Sequence, residues 1–145
     1  MERNEYGVKQ ERSHWRDQAI SARHRLYGYD APLVDIDFLA VEYSRKRAVM
    51  LVDYKAARPF PVNPQAANYT VLSQLASASG VPFVIVFYSP RLWWFYIHPM
   101  NSEAAAQFGR GVWMSEREYV SALYKLRGLP LPAEIAAQLS DYKPK

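Results

Sequence analysis

Apolar positions recur at two periods along the chain, one helical and one extended. From about Val8 to Tyr27, Val8, Trp15, Ala19, Ala22 and Leu26 fall on one stripe at helical spacing, with Arg12, Arg16 and Arg23 gathered beside it. Gly28 and then Pro32 end this predicted helix. Two strand-like runs follow, Leu33–Tyr43 and Arg47–Lys55, separated by Ser44, Arg45 and Lys46, a length that suits a hairpin. In the first run Val34, Ile36 and Phe38 share one face while Leu39 and Val41 share the other. A strand apolar on both faces is expected at the centre of a sheet, with layers packed on each side.

A connection containing Arg58, Pro59 and Pro61 leads to a second helix, for which Asn63 is a suitable N-cap, Pro64 a suitable first residue and Gly80 a suitable stop. Strands are predicted over Phe83–Tyr88 and Leu92–His98, joined by Ser89, Pro90 and Arg91. Ser115 and Glu118 have capping-box spacing for a helix to about Arg127, closed by Gly128. A short helix from about Ala133 to Leu139 and a polar tail complete the chain. The expected order is helix, strand, strand, helix, strand, strand, helix, helix, which is an α/β pattern.

Composition narrows the classes. A length of 145 residues suits a single domain over 1–145 with its own core. Half the residues are apolar and 22% are charged, which excludes disorder as the overall state. The formal charge of +4 is a mild lean toward anionic partners. The absence of cysteine excludes disulfides, thiolate metal sites and cysteine nucleophiles. No apolar run approaches the roughly 18–20 residues of a membrane span. The polar start lacks the apolar stretch of a secretory signal, so a soluble cytoplasmic protein is expected. His14, His24 and His98 show no metal-ligand spacing.

Charge inside the two hairpin strands is the feature that carries chemistry. Asp35, Asp37, Asp53 and Lys55 are all at odd positions. If a three-residue turn at 44–46 sets Tyr43 opposite Arg47, Asp37 lies across from Asp53 and Asp35 across from Lys55. Opposed residues share a face, with Cβ atoms about 4.5–5.5 Å apart. A turn one residue longer or shorter would undo this register. Facing carboxylates repel, and are stabilised by a proton, a cation or a metal. Mg²⁺, with Mn²⁺ as a substitute, takes one or two carboxylates, keeps several waters and accepts phosphate oxygens. A lysine beside it can orient the attacking water and offset charge developing on the phosphate.

Asp37, fifteen intervening residues and then Asp53-Tyr54-Lys55 resemble the PD-(D/E)XK nuclease pattern. The resemblance implies a restriction-endonuclease-like domain of αβββαβ type, a mixed central sheet flanked by helices, with extra C-terminal helices here. It implies Mg²⁺-dependent hydrolysis of DNA phosphodiester bonds, endo- or exonucleolytic. Asp37, Asp53 and the Tyr54 carbonyl would hold the metal, and Lys55 would assist the water. The proline of the signature is missing, since Val34 and Ile36 precede Asp35 and Asp37, so Asp35 remains a second candidate ligand. Asp37 is favoured because it opens the run Phe38–Val41 and faces Asp53 in the assumed register. Gln65-Ala66-Ala67-Asn68-Tyr69 is similar to the Q-x-x-x-Y motif of RecB-like and lambda-exonuclease-like members. Gln65, Tyr69, Leu72 and Ala76 share one helical stripe, at a helix end whose free N–H groups favour an anion. The gap of nine residues between Lys55 and Gln65 is shorter than those members lead one to expect.

The resemblance covers about Leu33 to His98, and residues near Tyr27–Asp30 are the candidates for a first core strand. Some superfamily members add a metal-binding glutamate from the preceding helix, which makes Glu11 a further candidate ligand. Arg12, Arg16, Arg23 and Arg58 are candidates for gripping phosphates. The whole layout is similar to small phage-encoded members, with selectivity supplied by DNA structure, a homo-oligomer or a protein partner. Plainer readings compete. Asp141-Tyr142-Lys143 repeats the D-x-K triplet in a polar tail, where no function is expected. The basic turn Ser44–Arg47 is expected to discourage edge pairing or touch distal DNA. Trp93-Trp94-Phe95-Tyr96 suits base stacking, but alternate residues of a strand face opposite sides, so at least half the run is expected in the core. The rival function is a non-catalytic nucleic-acid-binding or adaptor module on the same fold.

Overall fold

The computed structural model of the protein describes residues 18–28, 30 and 32–145. The chain forms two compact units, Met1–Asp35 and Ile36–Lys145. In the first, helix α1 spans Gln18–Leu26, within the helix expected over 8–27, and carries Arg23 exposed to solvent. Val8, Glu11, Arg12, Trp15 and Arg16 lie outside the described residues. The first core strand expected near residues 27–30 is not formed at the described positions: Tyr27 and Asp30 are in turns, and Gly28 between them takes φ 87, which breaks an extended run.

The second unit is built on a five-stranded sheet in the order β1-β2-β3-β4-β5. The strands are β1 (Phe38–Glu42), β2 (Arg47–Lys55), β3 (Phe83–Tyr88), β4 (Trp94–Pro99) and β5 (Val112–Ser115). β2 and β3 are parallel and every other neighbouring pair is antiparallel, so the sheet is mixed. A parallel step needs a crossover, which helix α2 (Ala67–Ala78) supplies. α2 lays Leu72 and Ala76 against Leu51 and Phe83 on one face. Helices α3 (Ser102–Phe108) and α4 (Glu116–Leu126) cover the other face, where Ala104, Phe108 and Tyr119 meet Met50, Val52, Val84, Val86, Phe95 and Ile97. The mixed α/β architecture with flanking helices agrees with the sequence reading. A short helix α5 (Ala133–Ala136) follows, and no helix among the described residues is long and apolar enough to cross a membrane.

The strand buried on both faces is β3, in which Phe83 to Phe87 are all buried. Fully burying one such side chain contributes about 1.5–3 kcal/mol. The run expected to be central, Leu33–Tyr43, forms only the short edge strand β1, with Phe38 42% and Leu39 48% exposed. β2 runs on to Lys55, past the last ladder pair of Phe38 with Val52, and ends where the Ala57 amide turns back to donate to the Lys55 carbonyl at 2.9 Å. α2 also begins later than Asn63 and Pro64 predict. The Asn63 side chain accepts from the Gln65 amide at 3.0 Å and its carbonyl from the Ala66 amide at 3.2 Å. Asn63 thus organises a turn ahead of the helix rather than capping it. β4 starts at Trp94 instead of Leu92. α3 and β5 were not expected, although Asn101, whose side chain accepts from the Ala104 amide, and Gly109 bracket α3 with ordinary stop and start signals.

Candidate active site

The site is set by the register of the β1–β2 hairpin, and that register arises from two compensating irregularities. The turn is four residues long, 43–46, with Glu42 opposite Arg47 rather than Tyr43 opposite Arg47. Left alone, this would shift every pair beyond it by one residue. Between Ala40 and Val41 the register shifts again: Val41 faces Ala48 and Ala40 faces Met50, so Val49 is the extra residue of a β-bulge. Past the bulge, Leu39 faces Leu51 and Phe38 faces Val52. The pairing at the open end is therefore the one that leads to Asp37 beside Asp53, by a route the turn-length reasoning did not contain.

Asp37 is the residue just before β1. Its Oδ2 accepts from the Tyr54 amide at 3.3 Å, and its carboxyl lies beside that of Asp53. Partial desolvation, the hydrogen bond from Asp53 and the Asp53 charge together raise the Asp37 carboxyl from 3.8 to about 6, against the opposing pull of the Tyr54 amide and the Lys55 ammonium. Asp37 is itself an exposed residue, so the neighbouring carboxylate is the cause of this shift that a bound cation would relieve.

Asp53 and Lys55 project to the face of β2 that α2 covers, opposite to Tyr54. The Lys55 Nζ lies 3.5 Å from the Asp53 Oδ2, and the Tyr69 hydroxyl donates to that same oxygen at 3.4 Å. The Nζ also sits 5.9 Å from the centre of the Tyr69 ring. Burial works to lower the lysine's affinity for its proton. The Tyr69 hydroxyl and the Asp53 carboxylate outweigh this and hold the ammonium above its ordinary value. Tyr69 is fixed in turn by packing on Phe83, with ring centres 6.4 Å apart. Asp37, Asp53, Lys55 and Tyr69 are thus one connected cluster.

Comparison with protein-family models, with curated proteins and with solved structures gives no match.

The donor set can still be tested against a metal. Among the described residues no three His, Asp or Glu side chains gather as a metal-holding group. The cluster offers two neighbouring carboxylates, which is the number Mg²⁺ takes when it keeps most of its waters. The Tyr54 carbonyl leaves the strand on the same edge as the Tyr54 amide, which points to Asp37. These groups fit a hard divalent ion.

Other expected site residues fall elsewhere. Gln65 is exposed in the turn before α2 and its side chain makes no hydrogen bond among the described residues, so Tyr69 reaches the acidic pair without it. Asp35 lies before β1, which starts at Phe38, and so is not a ladder residue; Lys55 pairs with Asp53. Arg58 is exposed, with its guanidinium 5.9 Å from the centre of the Trp94 ring. Glu11, Arg12 and Arg16 lie outside the described residues. The basic turn has a role that sequence reasoning missed. Arg45 and Arg47 donate to the Arg127 and Leu126 carbonyls at 3.5 and 3.4 Å, at the C-terminal end of α4. Orphan carbonyls and the negative end of the helix dipole both favour cations there.

Proposed function

We propose that the protein is a Mg²⁺-dependent nuclease that hydrolyses DNA phosphodiester bonds, with a restriction-endonuclease-like arrangement of the hairpin, the crossover helix and the strand that follows it. The observation that carries this reading is the carboxylate pair of Asp37 and Asp53, with Lys55 ion-paired to Asp53. The resemblance of these residues to the PD-(D/E)XK pattern supplies the substrate class.

A divalent ion bound here, Mg²⁺ or Mn²⁺, would supply Lewis acidity toward a phosphoryl oxygen and a more acidic water. The chain's own groups have separate tasks. Asp37, once deprotonated, and Asp53 would hold the ion, and the Tyr54 amide keeps Asp37 oriented. Lys55 stays cationic and offsets negative charge that develops on the phosphate. Tyr69 is a positioning residue that steadies the Asp53 oxygen shared with Lys55. At the start of α2, Ala66 gives no side-chain cap, so first-turn amides keep donor capacity for a phosphate. Arg58 and Gln65, both exposed, are available to the nucleic-acid backbone. Any further selectivity would come from DNA structure, from a homo-oligomer or from a protein partner, and such an activity fits a cytoplasmic setting.

The test is cleavage of single-stranded, double-stranded and branched DNA, and of RNA, in Mg²⁺ or Mn²⁺, with Asp53→Ala as control. Metal-dependent cleavage of DNA that Asp53→Ala abolishes is the expected result. Equal activity of the two proteins would remove the assignment, and metal-independent DNA binding with no cleavage would favour a binding module.

A further inference from the structure

The β3–β4 connection holds a large, partly exposed side chain outside the acidic cluster. It runs from Ser89 to Trp93 and is closed by bonds from the Trp93 amide to the Ser89 carbonyl at 2.9 Å and from the Ser89 amide to the Trp94 carbonyl at 3.2 Å. The Ser89 hydroxyl accepts from the Arg91 and Leu92 amides. This wiring forces the last turn residue into the left-handed region, and Trp93 has φ 55. Glycine or asparagine ordinarily serves there, and a bulky residue is a rare and strained choice. The chain instead presents its largest side chain at that point, 41% exposed. Strain retained in this way, at a position that folding would fill better with glycine, points to a use outside folding.

Trp93 keeps the strand alternation despite its positive φ. Trp94 is buried with Phe87 and Ile85, whereas Trp93 stacks on Tyr88 and Phe95 on the opposite face. The Trp93 and Tyr88 rings are 6.1 Å apart at 12°. Tyr88 meets Tyr54 edge-on at 5.8 Å, and Tyr54 meets Phe38 edge-on at 5.2 Å. An aromatic strip thus runs across the end of the sheet from Phe38, next to Asp37, to Trp93. In the parallel register Lys55 lies beside Phe87, so the turn after β3 is at the same end of the sheet as Asp53 and Lys55. Neighbouring strands are about 4.8 Å apart, which sets the turn roughly 10 Å along the sheet from β2. Arg91, exposed in the same turn, makes no ion pair among the described residues.

We propose that Trp93, backed by Tyr88, is a stacking platform for an unpaired base of the nucleic acid, with Arg91 meeting its phosphate. The proposal rests on the nuclease reading for its ligand, and it deepens that reading: the preferred substrate has a single-stranded or frayed segment that passes round the end of the sheet, from the face of Asp53 and Lys55 to the face of Tyr54 and Trp93. A flat ring reads any base by its π-face, so the platform favours unpaired strands without reading sequence.

The test is equilibrium binding, in EDTA so that nothing is hydrolysed, of a short oligothymidylate and of an abasic oligomer of equal length. It is followed by anisotropy and by tryptophan quenching, with Tm measured on each protein. The wild-type chain should bind the oligothymidylate at least about tenfold more tightly than the abasic strand. Trp93→Gly should lose that preference with little change in Tm, because relief of the strained backbone offsets the lost stacking on Tyr88 and Phe95. Trp93→Phe should keep most of the preference. Unchanged oligothymidylate binding by Trp93→Gly, or a fall in its Tm like that of a core truncation, would overturn the platform. Wild-type cleavage of duplex DNA in Mg²⁺ is measured in parallel. Duplex cleavage with Trp93-independent strand binding would discard the platform and keep the nuclease. Base-dependent binding with no cleavage of any substrate would keep the platform and discard the hydrolytic site.

Discussion

Asp37 gives the site a pH signature in the absence of metal. Its carboxyl is raised from 3.8 to about 6 in the folded chain. Between those values the folded state holds a proton that the unfolded state has lost, so this group's contribution to stability declines as pH rises through the window. Glu42, Glu103 and Glu118 shift the other way, through the hydrogen bonds their carboxylates accept, and they shape the total curve. The clean readout is therefore a difference. In EDTA, Asp37→Asn should gain Tm over wild type progressively from about pH 4 to pH 6 and no further. A constant difference would mean that burial and the Asp53 carboxylate do not raise the Asp37 carboxyl in the folded chain. Lys55 is argued to act on charge that develops during hydrolysis, so Lys55→Ala should cleave about 10²–10³-fold more slowly while binding DNA nearly as well. Lys55→Arg should fail to rescue it, since a planar fork does not replace a compact ammonium. Single-turnover rates separate these variants. Lys143→Ala, at the second D-x-K triplet, should cleave at the wild-type rate, because that lysine is occupied 3.0 Å from Glu118 and its triplet partner Asp141 is 2.9 Å from Arg117.

At the scale of elements, the reading from sequence worked where a segment's own chemistry decides its structure. The capping box of Ser115 and Glu118 starts α4 as expected, and β2 and β3 have the expected bounds. It failed where a neighbour decides. β1 pairs with β2 only from Phe38, although β2 runs on to Lys55, and nothing within Leu33–Asp37 records that. The hairpin register depends on a bulge at Val49 that apolar spacing does not reveal. The pairing of Asp37 with Asp53 was legible only because a longer turn and a bulge cancel. The basic turn read as a surface feature because its acceptors, the last carbonyls of α4, are about eighty residues away in sequence. Arg127 ties the same two elements most tightly, donating to the Val41 carbonyl at 2.8 Å and the Leu123 carbonyl at 2.6 Å. Arg127→Ala should therefore cost about 1–3 kcal/mol, by orphaning half-buried carbonyls. Urea denaturation measures this, and a loss below about 0.5 kcal/mol would mean that these bonds exchange freely with water.

For the whole molecule, the sheet puts its chemistry at one end. Parallel pairing of β2 and β3 brings the ends of both strands to the same edge, with the start of α2 close by through Tyr69. The arrangement fits the proposed nuclease only if the acidic pair takes up a divalent ion. The most direct measurement is calorimetric titration of Mn²⁺ into the wild-type chain and into Asp37→Asn, at pH 7.5 and pH 5. Wild type should bind at pH 7.5, and about tenfold more weakly at pH 5, where a proton must first leave the Asp37 carboxyl, raised to about 6. Asp37→Asn should lose the binding heat at both pH values. Equal Mn²⁺ binding by Asp37→Asn and wild type would contradict a metal site at Asp37 and Asp53, and the proposed hydrolysis with it.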